Sequence, residues 1–386
     1  MGNDDHRRHP TQWVLHLDES GDFASPGNAV LVAGIMLQER PSEAADQILA
    51  GVLRRIDPLV PYPPHATDLR QPAWWVARWM LADPAVREIH PARQVLDRAA
   101  ATIQRGGSAP LLARMNEQLQ LAQTPDYDAL QLATRWLRDR DSALCRELES
   151  LARGAEDRYR AIGTQLRTLY GDARCHVVAA ADPGGVSLEG ADRYLSLLTV
   201  LFERVFALLR ARPAQRHEVR VVAAQRHVTD TRMGRRRMLM PQDLGECVRQ
   251  AERFPLFAPV SAPDTIVRIL PWSSVSYREQ VPPGVALADF VANRVRRVLL
   301  QGPGWEKAND EIVAVTGLTT MVPARVLPDG GAQPTIAATG APREAVAAAF
   351  QGVSAMDLPL LSGRWTIEQA QRWIAVADTL RAEAAR

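Results

Sequence analysis

Two apolar runs of strand length, WVLHL from Trp13 and AVLVAGIML from Ala29 to Leu37, are separated by a turn that opens on clustered acids, Asp18, Glu19 and Asp22 in LDESGDF. Trp13, Leu15 and Leu17 alternate with Val14, His16 and Asp18, the period of two that marks a strand, and Ser20-Gly21-Asp22 supplies its end. A chain that begins this way is committed to a sheet whose first strand delivers a carboxylate to its own end. Such carboxylates repel one another in a half-buried place, and a hard cation such as Mg²⁺ or Mn²⁺ relieves that cost through oxygen ligands. The same residues also suit an acidic turn in which Asp22 and Ser20 bond nearby backbone amides. Both readings stand at this point.

Composition narrows the field. The 386 residues allow one large elaborated domain or two domains, and 46% hydrophobic with 23% charged residues describe an ordinary globular chain. A net charge of +2 points to neither nucleic acid nor a membrane surface. Cys145, Cys175 and Cys247 lie far apart without a CxxC, so neither a disulfide framework nor a zinc knuckle is expected. No apolar run approaches the length of about 20 residues that spans a bilayer, and a cytoplasmic location is the expectation. Lys307 is the single lysine among 46 basic residues, which leaves no Walker-type GxxxxGK[ST] loop. GxSxG, HExxH and GxGxxG are absent as well, so serine hydrolase, zinc protease and dinucleotide readings have no support.

Along the chain, Ser42 to Ile56 carries helical spacing, and a Pro-rich piece from Pro58 to Pro72 holds the segment His65-Ala66-Thr67-Asp68-Leu69, read as a loop or short edge strand. From Ala73 to about Gly171 the pattern is almost wholly helical. Its best stretch places Leu144, Leu148, Leu151, Ala155, Tyr159, Ile162, Leu166 and Leu169 at alternating spacings of three and four. Trp74, Trp75 and Trp79 read as core in preference to a base-stacking platform. Strands return at Cys175 to Ala181, Val219 to Ala223 and Thr265 to Leu270, interleaved with helices over Asp192 to Leu209 and Val285 to Leu300. That alternation predicts an α/β sheet with helices on its faces. Beyond Gly302, Gly/Pro-rich loops and two helices, about Arg343 to Phe350 and Ile367 to Arg386, read as a cap.

The helix from Val285 carries a second constellation. Leu287, Val291, Val295 and Val298 share one face, and Asp289, Asn293 and Arg296 lie opposite. By itself this predicts a solvated polar face, with Asp289 paired to Asn293 one turn on.

LDESGD with its following hydrophobic strand VLVAGIML, and the late helix ALADFVANRVRR, together resemble the domain-of-unknown-function 3800 family over roughly Val14 to Leu300. That resemblance implies a ribonuclease-H-like mixed sheet with flanking helices in residues 11–72 and 172–300, a large α-helical insertion in 73–171 and a C-terminal extension in 301–386. HATDL is similar to the family's short His-containing piece. The implied chemistry is that of a metal-dependent nuclease or phosphodiesterase, with carboxylates holding up to two Mg²⁺ or Mn²⁺ ions. Asp18 and Asp289 carry over as principal ligands, and Glu19 and Asp22 as weaker ones, because neighbouring strand residues face opposite sides.

The chain also departs from the pattern. Ala224 stands where an acid is expected at the end of a middle strand, and Trp272-Ser273-Ser274 where an Asp-Ser pair is expected; Asp182 and Asp230 are the available substitutes. Nucleic acid is the expected partner. Its phosphates would be met by Arg226 or by Arg235, Arg236 and Arg237 in the basic run RMGRRR, read as a loop, with His65 as proton carrier or ligand. The alternative is a catalytically degenerate fold that serves as a binding or interaction module, in antiphage defence or a toxin system. The helical insertion would then pack on itself, on a partner or on a second copy.

Overall fold

The computed structural model describes residues 10–25, 28–39, 45–59, 65–106, 113, 117, 127–160, 162–170, 174–182, 190–210, 216–224, 226–230, 235–253, 265–270, 273–275, 281–299, 318–326 and 332–334. The opening hairpin forms as the alternation predicts: β1 (Thr11–Ser20) pairs antiparallel with β2 (Val30–Gln38), and Gly21 at φ 113° makes the turn between them. Strand β3 (Cys175–Asp182) pairs antiparallel with β2, whereas β4 (Arg216–Ala224) runs parallel to β1 on its other side. Short strands β7 (Ile266–Ile269) and β8 (Ser273–Val275) both lie parallel to β4. A separate hairpin joins β5 (His227–Asp230) to β6 (Arg235–Met238).

Helices cover both faces of this mixed sheet. One apolar cluster joins Val14, Leu31, Ile35, Val177 and Val222 of the sheet to α1 (Ala45–Ile56), α2 (Pro72–Leu81), α4 (Arg93–Arg105), α5 (Tyr127–Arg140), α6 (Ser142–Arg160), α7 (Ile162–Tyr170) and α10 (Pro283–Leu299). The other face, with Trp13, Leu15, Leu17 and Val221, is covered by α8 (Gly190–Arg210) and α9 (Pro241–Arg253). A short α3 (Pro84–Ile89) links α2 to α4. The helical stretch after Pro72 therefore shares one continuous core with the sheet and with α10. Trp74, Trp75 and Trp79 are within that core, 2% exposed or less.

One expectation is corrected. Residues 318–326, read as part of a Gly/Pro-rich cap, form β9 (Leu318–Val326), parallel to β3 and paired on its far side with β10 (Ala332–Pro334). Pro323 is the last β9 residue paired with β3 and precedes Ala324, the first paired with β10, so it lies in the middle of neither ladder. The helices expected at about 343–350 and 367–386 lie outside the described residues. No helix among the described residues is long and apolar enough to cross a membrane.

Candidate active site

Asp18 is the eighth residue of β1 and shares a face with Val14 and His16, the face covered by α10. Close approach of that helix depends on Gly284, where an added Cβ would lie 2.3 Å from two atoms of the His16 ring. Gly284→Ala is expected to cost about 1–3 kcal/mol through overpacking, measured as a lower midpoint in chemical denaturation.

Asp289 is not on a solvated face. It is 8% exposed and Asn293 is 7% exposed, because the segment from His65 to Arg70 lies over the polar side of α10. Periodicity along one helix cannot register a cover that comes from 220 residues upstream. The Ala66 N–H donates to Asp289 Oδ2 at 2.6 Å, and His65 Nδ1 is 3.7 Å from the same oxygen. The backbone N–H of His65 donates at 3.1 Å to Oδ2 of Asp68, the first residue of a 3₁₀ turn at Asp68–Arg70. In place of an Asp289 pairing, Asn293 Oδ1 accepts from Arg70 at 2.6 Å.

These contacts make one electrostatic unit. Burial pulls the His65 imidazole toward a lower pKa, but its bond to Asp289 and the charges of Asp289, Asp68 and Asp18 outweigh burial and push it up to about 9. Asp18 is thus within electrostatic reach of the same imidazolium that touches Asp289. A histidine whose pKa is raised on folding stabilises the fold fully below its unfolded value near 6.5, and that contribution is lost as pH rises through about 9. The protein is therefore expected to lose thermal stability between pH 6.5 and 9, and His65→Gln to flatten that slope. Equal slopes in the two proteins would refute the assignment.

Glu19 takes the opposite face, as alternation requires. It forms an ion pair with Arg226, whose guanidinium lies 4.6 Å from the Phe23 ring centroid and 4.9 Å from that of Tyr194. Burial pushes the Tyr194 hydroxyl above its ordinary range, with the Asp18 charge adding to it. Glu19 and Arg226 are thereby committed to packing between β1, β4 and α8. Glu19→Gln is expected to lower stability by on the order of 1–3 kcal/mol, measured as a lower midpoint in chemical denaturation; an unchanged midpoint would show that the pair with Arg226 holds nothing together.

Asp22 makes the bonds of the turn reading. It is exposed, and its carboxylate accepts from the Ala24 N–H at 3.1 Å and from the Ser25 hydroxyl at 2.5 Å, bonds that lower its pKa. The basic run is corrected as well: Arg235, Arg236 and Arg237 lie in strand β6 and not in a loop. Arg237 makes a bidentate pair with Asp243 at 2.7 and 2.9 Å, whereas Arg235 and Arg236 are exposed. The side chains of Asp182 and Asp230 lie outside the described residues.

Register places the missing acid. Leu17 pairs with Ala223 across the parallel β1–β4 ladder, so the next position sets Ala224 beside Asp18 on one face of the sheet. A methyl group stands there. Among the described residues no three His, Cys, Asp or Glu side chains form a group that would hold a metal ion. No family model, curated protein or solved structure matches the chain. What the site offers by its own chemistry is two buried hard oxygen donors, Asp18 and Asp289; His65 lies against Asp289, its backbone N–H is held by Asp68, and Asp18 acts on it through charge. Sequence reading missed Arg70 as the partner of Asn293; the one signal for its segment was the close spacing of His65 and Asp68 between prolines.

Proposed function

We propose that this protein is a metal-dependent phosphodiester hydrolase acting on nucleic acid, built on a ribonuclease-H-like core of the kind that the domain-of-unknown-function 3800 resemblance implies. The strand order β3-β2-β1-β4-β7, antiparallel across the first three and parallel across the last three, supports that fold. The observation that carries the function is the burial of Asp18 at 5% and Asp289 at 8% exposure, from elements 271 residues apart in sequence, with both charges acting on one imidazole. Buried carboxylates on a strand end and a facing helix are costly unless cations offset them, and the one imidazolium faces three carboxylates, Asp289, Asp68 and Asp18.

The donor set fits one divalent ion better than two. Mg²⁺ is commonly held by one or two carboxylates, with water and substrate phosphate completing its shell, and Asp18 and Asp289 match that requirement while Ala224 removes a third. A bound Mg²⁺ or Mn²⁺ would supply Lewis acidity toward a phosphoryl oxygen. The remaining roles belong to the chain. His65, whose Nδ1 lies 3.7 Å from Asp289 Oδ2, is placed to pass a proton to a leaving oxygen, and the exposed Arg235 and Arg236 are free of the Asp243 pairing that holds Arg237, so they suit phosphate contact.

The test is incubation with Mn²⁺ and, in parallel, single-stranded DNA, duplex DNA, RNA and bis(p-nitrophenyl) phosphate. Cleavage of at least one, abolished by EDTA, is expected; intact substrates in every case would defeat the hydrolase reading. A second reading has its own support in Ala224, whose methyl beside Asp18 is what a fold that binds nucleic acid without cutting it would show. Retention of a labelled oligonucleotide without cleavage would favour it.

A further inference from the structure

We infer that Glu156, on the helical stretch between β2 and β3, is a positioning residue for the Asp18–Asp289 site, and that seating the His65–Arg70 segment on α10 is the work of that stretch. The inference rests on the hydrolase reading for its functional consequence, although its structural half stands apart.

The chain of contacts is continuous. Glu156, on α6, is only 9% exposed, and its carboxylate lies between two arginines: Arg297, which it pairs with directly, and Arg70, whose Nε is 3.8 Å from Oε2. Arg70 closes the 3₁₀ turn and donates to Asn293 Oδ1 at 2.6 Å. Asn293 is one turn beyond Asp289 on α10, so this bond holds the far end of the segment while the Ala66 N–H holds the near end on Asp289 itself. Two further contacts register α6 against α10: Arg297 donates to the Tyr159 hydroxyl at 3.4 Å, and the Tyr159 and Phe290 rings lie 5.2 Å apart. A second strut comes from α2, where the Trp75 indole N–H donates to the Leu69 carbonyl at 2.7 Å.

The geometry matters because the segment carries both groups that act on Asp289. An Arg70 released from Glu156 retains one anchor, to Asn293, and the His65–Ala66 end then follows the motion of the turn. Partners of this outer kind orient the groups that hold an ion, and their loss typically lowers metal affinity about 10–100-fold. No sequence pattern marks Glu156, since it is one of several acids on an amphipathic helix. The fold makes it distinct by burying it.

Two readouts on the full chain separate this inference from the reading beneath it. Hydrogen exchange at the Ala66 amide reports how the segment is seated, with no metal present, and Mn²⁺ calorimetry reports the site. Glu156→Gln and, as an independent break in the same link, Arg70→Lys are compared with Glu147→Gln. That control removes an acid from the same helix, where Glu147 pairs with Arg98 at 2.5 Å on the exposed side. The expected result is Ala66 exchange at least about tenfold faster and Mn²⁺ affinity at least about tenfold weaker in the first two variants, with unchanged circular dichroism and with the control like wild type. Ala66 exchange unchanged in both folded variants would overturn the inference, as would an equal effect of Glu147→Gln. Faster exchange in a wild-type background that binds no Mn²⁺ would instead leave the positioning intact and remove the metal reading.

Discussion

Mn²⁺-dependent cleavage is expected to fall by about 10³-fold or more when either Asp18 or Asp289 is changed to asparagine, a loss of on the order of 4 kcal/mol in transition-state stabilisation. Asparagine keeps the shape and one acceptor oxygen, so the segment anchored by the Ala66 N–H on Asp289 has a partner in the variant. The charge is what disappears. Asp22→Asn, in the exposed turn, serves as a matched control. Cleavage that persisted in both site variants, or that fell equally in Asp22→Asn, would show that the two buried carboxylates are not the functional pair.

Acid is expected to destabilise the protein strongly through one side chain. His16 is 2% exposed, packed against Gly284, and neither ring nitrogen has a hydrogen-bond partner among the described residues. Burial first, and the Arg220 charge second, lower its pKa to about 3. The folded protein thus keeps this imidazole neutral, while the unfolded chain protonates it below about 6.5. Stability from this group is fully present above pH 6.5 and is lost as pH falls from there toward 3, at about 1.4 kcal/mol per unit. Between pH 6.5 and 4 the cost is about 3 kcal/mol, a large share of what holds a typical domain together. His16→Leu should remove most of that slope, as urea unfolding at a series of pH values would show; parallel slopes for wild type and variant would mean that other groups govern acid unfolding.

Much of this fold was legible along the chain because its elements announce themselves locally. The β1–β2 hairpin follows from alternation and a glycine-containing turn, and α10 from its 3.6-residue stripe. The three tryptophans read as core and are core. What escaped depends on partners remote in sequence. Asp289 looked solvated because α10 was read without the segment that covers it, and Glu156 looked like any exposed acid because nothing local records that Arg70 and Arg297 converge on it. Asp22 was ambiguous for the opposite reason: a turn acid and a ligand acid share the same neighbours, and only its bonds to Ala24 and Ser25 distinguish them. The strand at Leu318–Val326 was obscured by Pro323, and the strand character of Arg235–Met238 by the density of arginine in a chain with one lysine. Ala224 is the reverse case, a departure noticed in sequence whose meaning came from the ladder that sets it beside Asp18.

The most direct test of the central claim is calorimetric titration of Mn²⁺ into the wild type and the Asp18→Asn and Asp289→Asn variants at neutral pH. A single ion bound by the wild type and by neither variant is the predicted result. No binding to the wild type, or binding that both substitutions leave unchanged, would contradict a shared metal site between β1 and α10.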